Sequence, residues 1–251
     1  MDKRKGLLRF IALMAATAAI VIANLMFFAP TGQKLTKTGN QIYKEADYLA
    51  LVSIQHEDPR TGELFTSHAS GSLINFNNQY LILTAAHIER QGYRMKEIAI
   101  RLKGQPGVYF AAIDKKNNDL DCAILKISNP DFLFIGRLPR FRLEKDYEVG
   151  DRIYSLGSPF SADYALGEGI IRNLNYTTRH GRKWENAIVT SADTGLAPGN
   201  SGGPLLDARG EIIALNVGIL VDGDARTQTY YPTFGFAIPI TEIMTWLAAH
   251  Y

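Results

Sequence analysis

Beyond the N-terminal segment, apolar residues come in short runs, several of them alternating with polar positions and bounded by Gly, Pro, Asn or Asp. That spacing predicts β-strands rather than helices. A first set covers Tyr48–Ile54, Gly71–Phe76, Tyr80–Thr84, Glu97–Leu102, Val108–Ile113 and Cys122–Ile127, with Asn77-Asn78 as a hairpin turn. A second covers Arg152–Leu156, Gly169–Leu174, Ala187–Ser191, Pro204–Leu206, Glu211–Val217 and Phe234–Ile238. Asp207–Gly210 turns one of its hairpins, and Asp222-Gly223 starts the loop before the last strand. Between the sets, Ser128–Lys145 carries Pro130 and Pro139 and reads as a crossing between two halves. In Thr241–Tyr251, the helical spacing of Ile243, Trp246 and Leu247 predicts one short C-terminal helix. Many short strands without alternating helices argue for an all-β sandwich or barrel, not a parallel α/β sheet.

The N-terminus follows a different rule. Phe10 to Ala29 contains no charged residue in 20 positions. As a helix this run would extend about 30 Å, the thickness of a bilayer's hydrocarbon core. Lys3, Arg4, Lys5 and Arg9 precede it, which places that end in the cytoplasm and the body outside. The segment is either a retained membrane anchor or a cleaved signal peptide; its length favours the anchor. Thr31–Lys44 is polar and reads as a tether.

The formal charge of +2 over 251 residues resides in that N-terminal cluster, and the rest of the chain is near neutral. A near-neutral body gives no electrostatic case for nucleic acid. The single cysteine, Cys122, excludes an internal disulfide and, within an apolar run, reads as a small core residue.

Three motifs carry chemistry. In Ala197-Pro198-Gly199-Asn200-Ser201-Gly202-Gly203-Pro204, glycines flank a serine and permit the sharp turn that exposes a nucleophile. The amides of Gly199 and Ser201 could then converge on a developing oxyanion. Thr84-Ala85-Ala86-His87 places an imidazole after an apolar strand with small residues around it, which suits a general base. His56, His68, His180 and His250 lack such a frame and read as surface residues. Asp121, at the head of the run Cys122–Lys126, is the candidate carboxylate to orient the base; Asp119, expected on the same strand face, is its competitor. The order His, Asp, Ser differs from the orders of subtilisin-like enzymes and α/β-hydrolases. With two motifs in the first strand set and one in the second, it suits a cleft between two barrels.

These motifs resemble those of trypsin-like serine peptidases, and the second half resembles the HtrA (DegP-like) group in particular. Tyr154–Phe160 is similar to that group's strand ending in Gly-x-Pro-Phe, and Gly169-Ile170-Ile171 to its Gly-Ile-Val strand. Pro198–Leu205 resembles its nucleophile loop, Glu211–Leu220 its hairpin into the cleft, and Gly235–Pro239 its final strand. The resemblance covers roughly residues 47–247 and implies a chymotrypsin-like double β-barrel. His87, Asp121 and Ser201 are then its catalytic triad. With the N-terminal reading above, the layout is a membrane anchor or signal peptide over 1–30, a tether over 31–44 and a protease domain over 45–251. Within that domain the barrels span about 45–130 and 146–240, and a helix follows over 241–251.

By the same resemblance, Gly195, Leu196, Ala197, Asn216, Val217 and Gly218 wall the primary specificity pocket. Gly195 stands where trypsins keep an Asp, so small or medium aliphatic side chains are expected at the cleaved position. Asn200 stands where zymogen-activated relatives carry an Asp, which argues against activation by N-terminal clipping. The HtrA group usually adds a peptide-binding PDZ domain, and this sequence stops at Tyr251. Thr-Ala-Ala-His is nearer the wider trypsin class than typical HtrA members. Arg182–Glu185 and Val221–Thr233 fall in loops that follow no family pattern.

The function expected is a membrane-anchored serine endopeptidase working on polypeptide substrates outside the cytoplasm, in the periplasm or an equivalent space. Its role would be protein quality control or processing, without a metal or organic cofactor. Family resemblance adds homo-oligomerisation. A catalytically silent peptide-binding module on the same scaffold is the alternative, and a narrow maturation protease a third.

Overall fold

A computed structural model describes residues 36–177, 185–224 and 229–251. The apolar run at 10–29 lies outside them; among the described residues no helix is long and apolar enough to cross a membrane.

Twelve strands close into two six-stranded antiparallel barrels. The first is built from β1 (Leu49–Glu57), β2 (Leu64–Phe76), β3 (Gln79–Ala85), β4 (Arg94–Leu102), β5 (Gln105–Asn117) and β6 (Cys122–Ile127), in the order β1-β2-β3-β6-β5-β4. The second is built from β7 (Arg152–Gly157), β8 (Ala165–Tyr176), β9 (Ala187–Ser191), β10 (Pro204–Asp207), β11 (Ile212–Asp224) and β12 (Thr229–Pro239), in the order β10-β11-β12-β9-β8-β7. Closure satisfies the edge hydrogen bonds that an open sheet would leave to solvent. Along β5, half-buried Tyr109, Ala111 and Ile113 alternate with exposed Phe110, Ala112 and Asp114. That is the period of two expected of a strand with one wet face.

One core cluster runs from the first barrel into the second, joining Leu83 and Ile124 to Tyr154, Leu156 and Leu215. A second, with Ile153, Ile188, Leu205 and Ile213, fills the second barrel. Asn77 and Asn78 turn β2 into β3 with φ of 48° and 62°, both left-handed, as a two-residue hairpin requires. The C-terminal helix, α2 (Ile240–Ala248), returns Ile243 and Leu247 to the core; α1 is the helix described next.

Outside the candidate site, the structure departs from the sequence reading at three places. Within the expected tether, Gly39–Glu45 forms a helix, α1. Thr38 and Gln41 make a reciprocal capping box at its start, and Ile42 is buried. The Tyr43 hydroxyl donates to the Tyr164 carbonyl at 3.1 Å, so the segment packs on the second barrel before entering β1. Asp222-Gly223 does not start a loop: β11 runs on to Asp224, paired through Asp224 with Thr229 of β12. Continued cross-strand pairing outweighs the local turn preference of that dipeptide. His56 is buried rather than superficial, at 1% exposure. It stacks on Phe65 with ring centroids 5.1 Å apart, and its Nε2 lies 2.8 Å from the Ser67 hydroxyl.

Candidate active site

Strand register brings His87 and Asp121 together. β3 and β6 are neighbours, with Ala85 opposite Cys122, so the residue before β6 meets the residues just after β3. His87 lies there in a single 3-10 turn, Ala86–Ile88. Asp121 adopts φ 48°, unusual for a residue with a Cβ, and its side chain has no solvent exposure. One carboxylate oxygen accepts from the His87 backbone amide at 3.0 Å, and the other lies 2.8 Å from Nδ1. The Asp121 carbonyl accepts from the Ala86 amide at 3.0 Å. Three contacts thus hold ring and backbone together. With the carboxylate as acceptor, Nδ1 carries the proton and Nε2 keeps its lone pair.

Asp119 does not share that strand face. It sits exposed in the turn before β6, its amide donating to the Asn117 side-chain oxygen at 2.9 Å. Cys122 is fully buried, and burial, followed by the charge of Asp121, pushes its thiol up to about 12.

Ser201 comes from the second barrel, on the loop before β10. That loop turns back on itself through Asn200 N–H to Ala197 O at 3.0 Å and Gly203 N–H to Asn200 O at 2.9 Å. It is tied to β11 by Gly202 N–H donating to Asn216 O at 2.7 Å. Two glycines are obligatory for steric reasons. Gly199 has φ 104°, and a Cβ there would collide with the Ser158 carbonyl; Gly202 has φ 83°, and a Cβ there would collide with Ser70 O and Thr84 Oγ1.

The loop is also held by residues outside the three motifs. The Phe160 amide donates to Pro198 O at 2.8 Å. In a trans peptide C=O and N–H point opposite ways, so this bond aims the Gly199 amide away from Phe160. Ser70, fully buried on β2, uses every polar group it has. Its amide donates to Ser201 O at 2.8 Å, its hydroxyl donates to Gly199 O at 2.7 Å and accepts from the Ser158 amide at 2.9 Å, and its carbonyl accepts from Thr84 Oγ1 at 2.7 Å. Among the described residues the amides of Gly199 and Ser201 themselves have no protein acceptor. Two amides of one loop, two residues apart, are therefore left without an intramolecular acceptor.

His87 and Ser201 line one cavity of about 290 Å³, without a direct hydrogen bond between them. Base–nucleophile contacts are commonly long until substrate is bound. Five of the six expected pocket residues line it: Leu196, Ala197, Asn216, Val217 and Gly218. Gly195 does not. It closes the 3-10 turn Ala192–Thr194 with φ 63°, and its carbonyl accepts from Asn200 Nδ2 at 3.1 Å. Asn200 thus holds the loop from inside through its amide. Sequence reasoning did not single out Ser70; a Ser-Gly pair in an apolar strand carries no signal distinguishing it from ordinary strand residues. Among the described residues, no group of three or more His, Cys, Asp and Glu side chains could hold a metal ion.

The profile of the trypsin-like peptidase domain family matches residues 69–215. The chain belongs to that family. Among its relatives, the chain is 28% identical over 199 residues to the chloroplastic Protease Do-like 1 of Arabidopsis thaliana, covering 78% of this chain and 42% of that protein. It is 30% identical over 177 residues to the periplasmic pH-dependent serine endoprotease DegQ of Escherichia coli, covering 70% and 35%. With Serine protease HTRA1A of Danio rerio it shares 32% over 189 residues, covering 73% and 35%. The peptidase therefore spans well under half the length of these relatives. A solved HtrA-type protease, AlgW with a tripeptide, shares its fold at a TM-score of 0.66 and 20% identity, covering 85% of this chain and 63% of that one.

Proposed function

We propose that this peptidase is a serine endopeptidase of HtrA type, with Ser201 as nucleophile, His87 as general base and acid, and Asp121 as the group that orients the imidazole. The observation that carries the reading is the double clamp of buried Asp121 on His87, which lines the same cavity as Ser201.

In this mechanism Ser201 Oγ attacks the scissile carbonyl carbon while His87 Nε2 takes the hydroxyl proton. The carbonyl oxygen becomes an oxyanion and accepts from the Gly199 and Ser201 amides; one such donor typically contributes about 3 kcal/mol to transition-state stabilisation. The tetrahedral intermediate collapses, the C–N bond breaks, and the amine leaves with the proton from His87. Water, deprotonated by His87, then hydrolyses the acyl ester and regenerates Ser201.

The substrate enters as an extended strand. β10 pairs with β11 as far as Leu215, and the Asn216 amide and carbonyl are bonded to Gly203 and Gly202, which leaves the edge of β11 at Val217–Ile219 for a peptide. The cavity beside it is walled by Leu196, Ala197, Val217 and Gly218, and among the described residues it carries no Asp, Glu, Lys or Arg. Aliphatic side chains of small to medium size fit it. The uncharged run at 10–29 with its basic flank, and the periplasmic relative DegQ, support an anchored enzyme facing outward from the cytoplasm.

The test is hydrolysis of casein and labelling by a fluorophosphonate, with the full chain in detergent and its Ser201→Ala variant. Wild type should be labelled and active; the variant should take no label. Equal casein hydrolysis by both would overturn the reading.

A further inference from the structure

A second cavity, of about 390 Å³, also has His87 in its wall. The two cavities have no other residue in common. The imidazole is thus a partition between an apolar space made by the second barrel and a polar one made wholly by the first. The polar cavity lies between the loop Glu89–Tyr93, which follows His87, and the end of β5 with the turn after it, which carry Lys116 and Asn118.

Three charged side chains line it besides the histidine. Lys116 and Glu89 form an ion pair and neutralise one another. Arg90 has no carboxylate partner among the described residues; its guanidinium lies over two aromatic rings, 5.3 Å from the centroid of Phe65 and 5.0 Å from that of Tyr93. Those rings meet edge to face at 4.9 Å, and Phe65 is stacked on buried His56. Guanidinium over aromatic faces is held in place at little loss of its hydrogen-bonding capacity, because its edge donors stay free. The positive charge reaches inward as well: after burial, Arg90 is the cause that holds His56 below the usual histidine range.

In an extended peptide, neighbouring side chains point to opposite faces. When one residue occupies the apolar cavity, an adjacent residue is directed across the imidazole. We propose that the polar cavity is a subsite for an acidic side chain of the substrate, next in the chain to the aliphatic residue, and that Arg90 is its specificity-determining group. A carboxylate fits the fork of a guanidinium in bidentate fashion, and the Glu89–Lys116 pair leaves that charge uncompensated. The inference rests on the proteolytic reading above.

The experiment uses matched fluorogenic peptides with one aliphatic residue at the cleaved position and Glu, Gln or Lys on either side of it, with the full chain. At low salt, Glu should exceed Gln in kcat/KM by about two- to fivefold at one of the two positions, the range of a solvent-accessible ion pair. The ratio should approach one in 1 M salt and in Arg90→Gln, and Arg90→Glu should prefer Lys. Equal rates for Glu and Gln at both positions in wild type, or an undiminished ratio in Arg90→Gln, would overturn the proposal while Ser201 still takes fluorophosphonate. Failure of Ser201 to take that label, with no peptide cleaved, would remove the proteolytic reading and this one with it.

Discussion

The hydroxyl of Ser70 donates to the carbonyl of Gly199 across 2.7 Å, joining a strand of the first barrel to the loop of the second that carries Ser201. Replacing Ser70 by Ala would leave the Gly199 carbonyl and the Ser158 amide without this partner in a buried place, which costs about 1–3 kcal/mol per orphaned group. Ser70→Ala should lower kcat at least tenfold with a much smaller change in KM, because it loosens donors that act in the transition state. Steady-state kinetics with an aliphatic peptide will show the split; a change confined to KM would contradict it.

Asp121→Asn offers a clean separation of chemistry from folding. Asparagine tolerates the φ of 48° found there, so the turn before β6 should survive. The amide cannot replace the carboxylate as acceptor of both the His87 amide and Nδ1–H. The expected result is a loss of about 10⁴-fold in kcat with little change in melting temperature.

Gly202→Ala should impair folding and chemistry together. A methyl group there meets Ser70 O and Thr84 Oγ1 at a φ of 83°. The loop must shift, and both fluorophosphonate labelling and thermal stability should fall, by roughly 1–3 kcal/mol or more in the latter. Normal labelling of a normally stable variant would show that the loop has slack the packing does not suggest.

Stability should depend on pH through His56. Burial first, and the charge of Arg90 second, hold its pKa below 6.5 in the folded protein. The unfolded chain then binds the proton first as the medium is acidified, so the contribution of neutral His56 is complete above about pH 6.5 and declines as pH falls from there toward the folded value. Calorimetry at pH 7.5 and 5.5 should show a smaller drop in melting temperature for His56→Phe than for wild type.

Cys122 should be inert in the native protein. With its thiol at about 12 and no exposure, almost no thiolate is present at neutral pH. Iodoacetamide should modify it only on unfolding, and rapid alkylation under native conditions would disprove the burial.

Much of this was legible beforehand because strands announce themselves by period and punctuation. Asn77-Asn78 and the small-residue frames around His87 and Ser201 were readable for the same reason: only certain residues fit such backbone turns. Long-range partners left no such trace. Ser70 is one serine among several until folding places it against Gly199, and buried His56 looks polar until Phe65 covers it. Asp222-Gly223 misleads because a local turn preference says nothing about the strand waiting to pair with it. α1 is short and polar, so its capping box and the single buried Ile42 were hidden within an apparently featureless linker.

The division of labour between the barrels has a consequence for failure. On the proposed reading, one half contributes base and carboxylate, the other nucleophile and anion donors, and Ser70 ties the halves beside the proposed donors. In the proposed mechanism, any parting of the seam disables proton transfer and charge stabilisation in the same movement. A thermally loosened or mechanically strained enzyme would therefore fall silent instead of becoming an indiscriminate cutter.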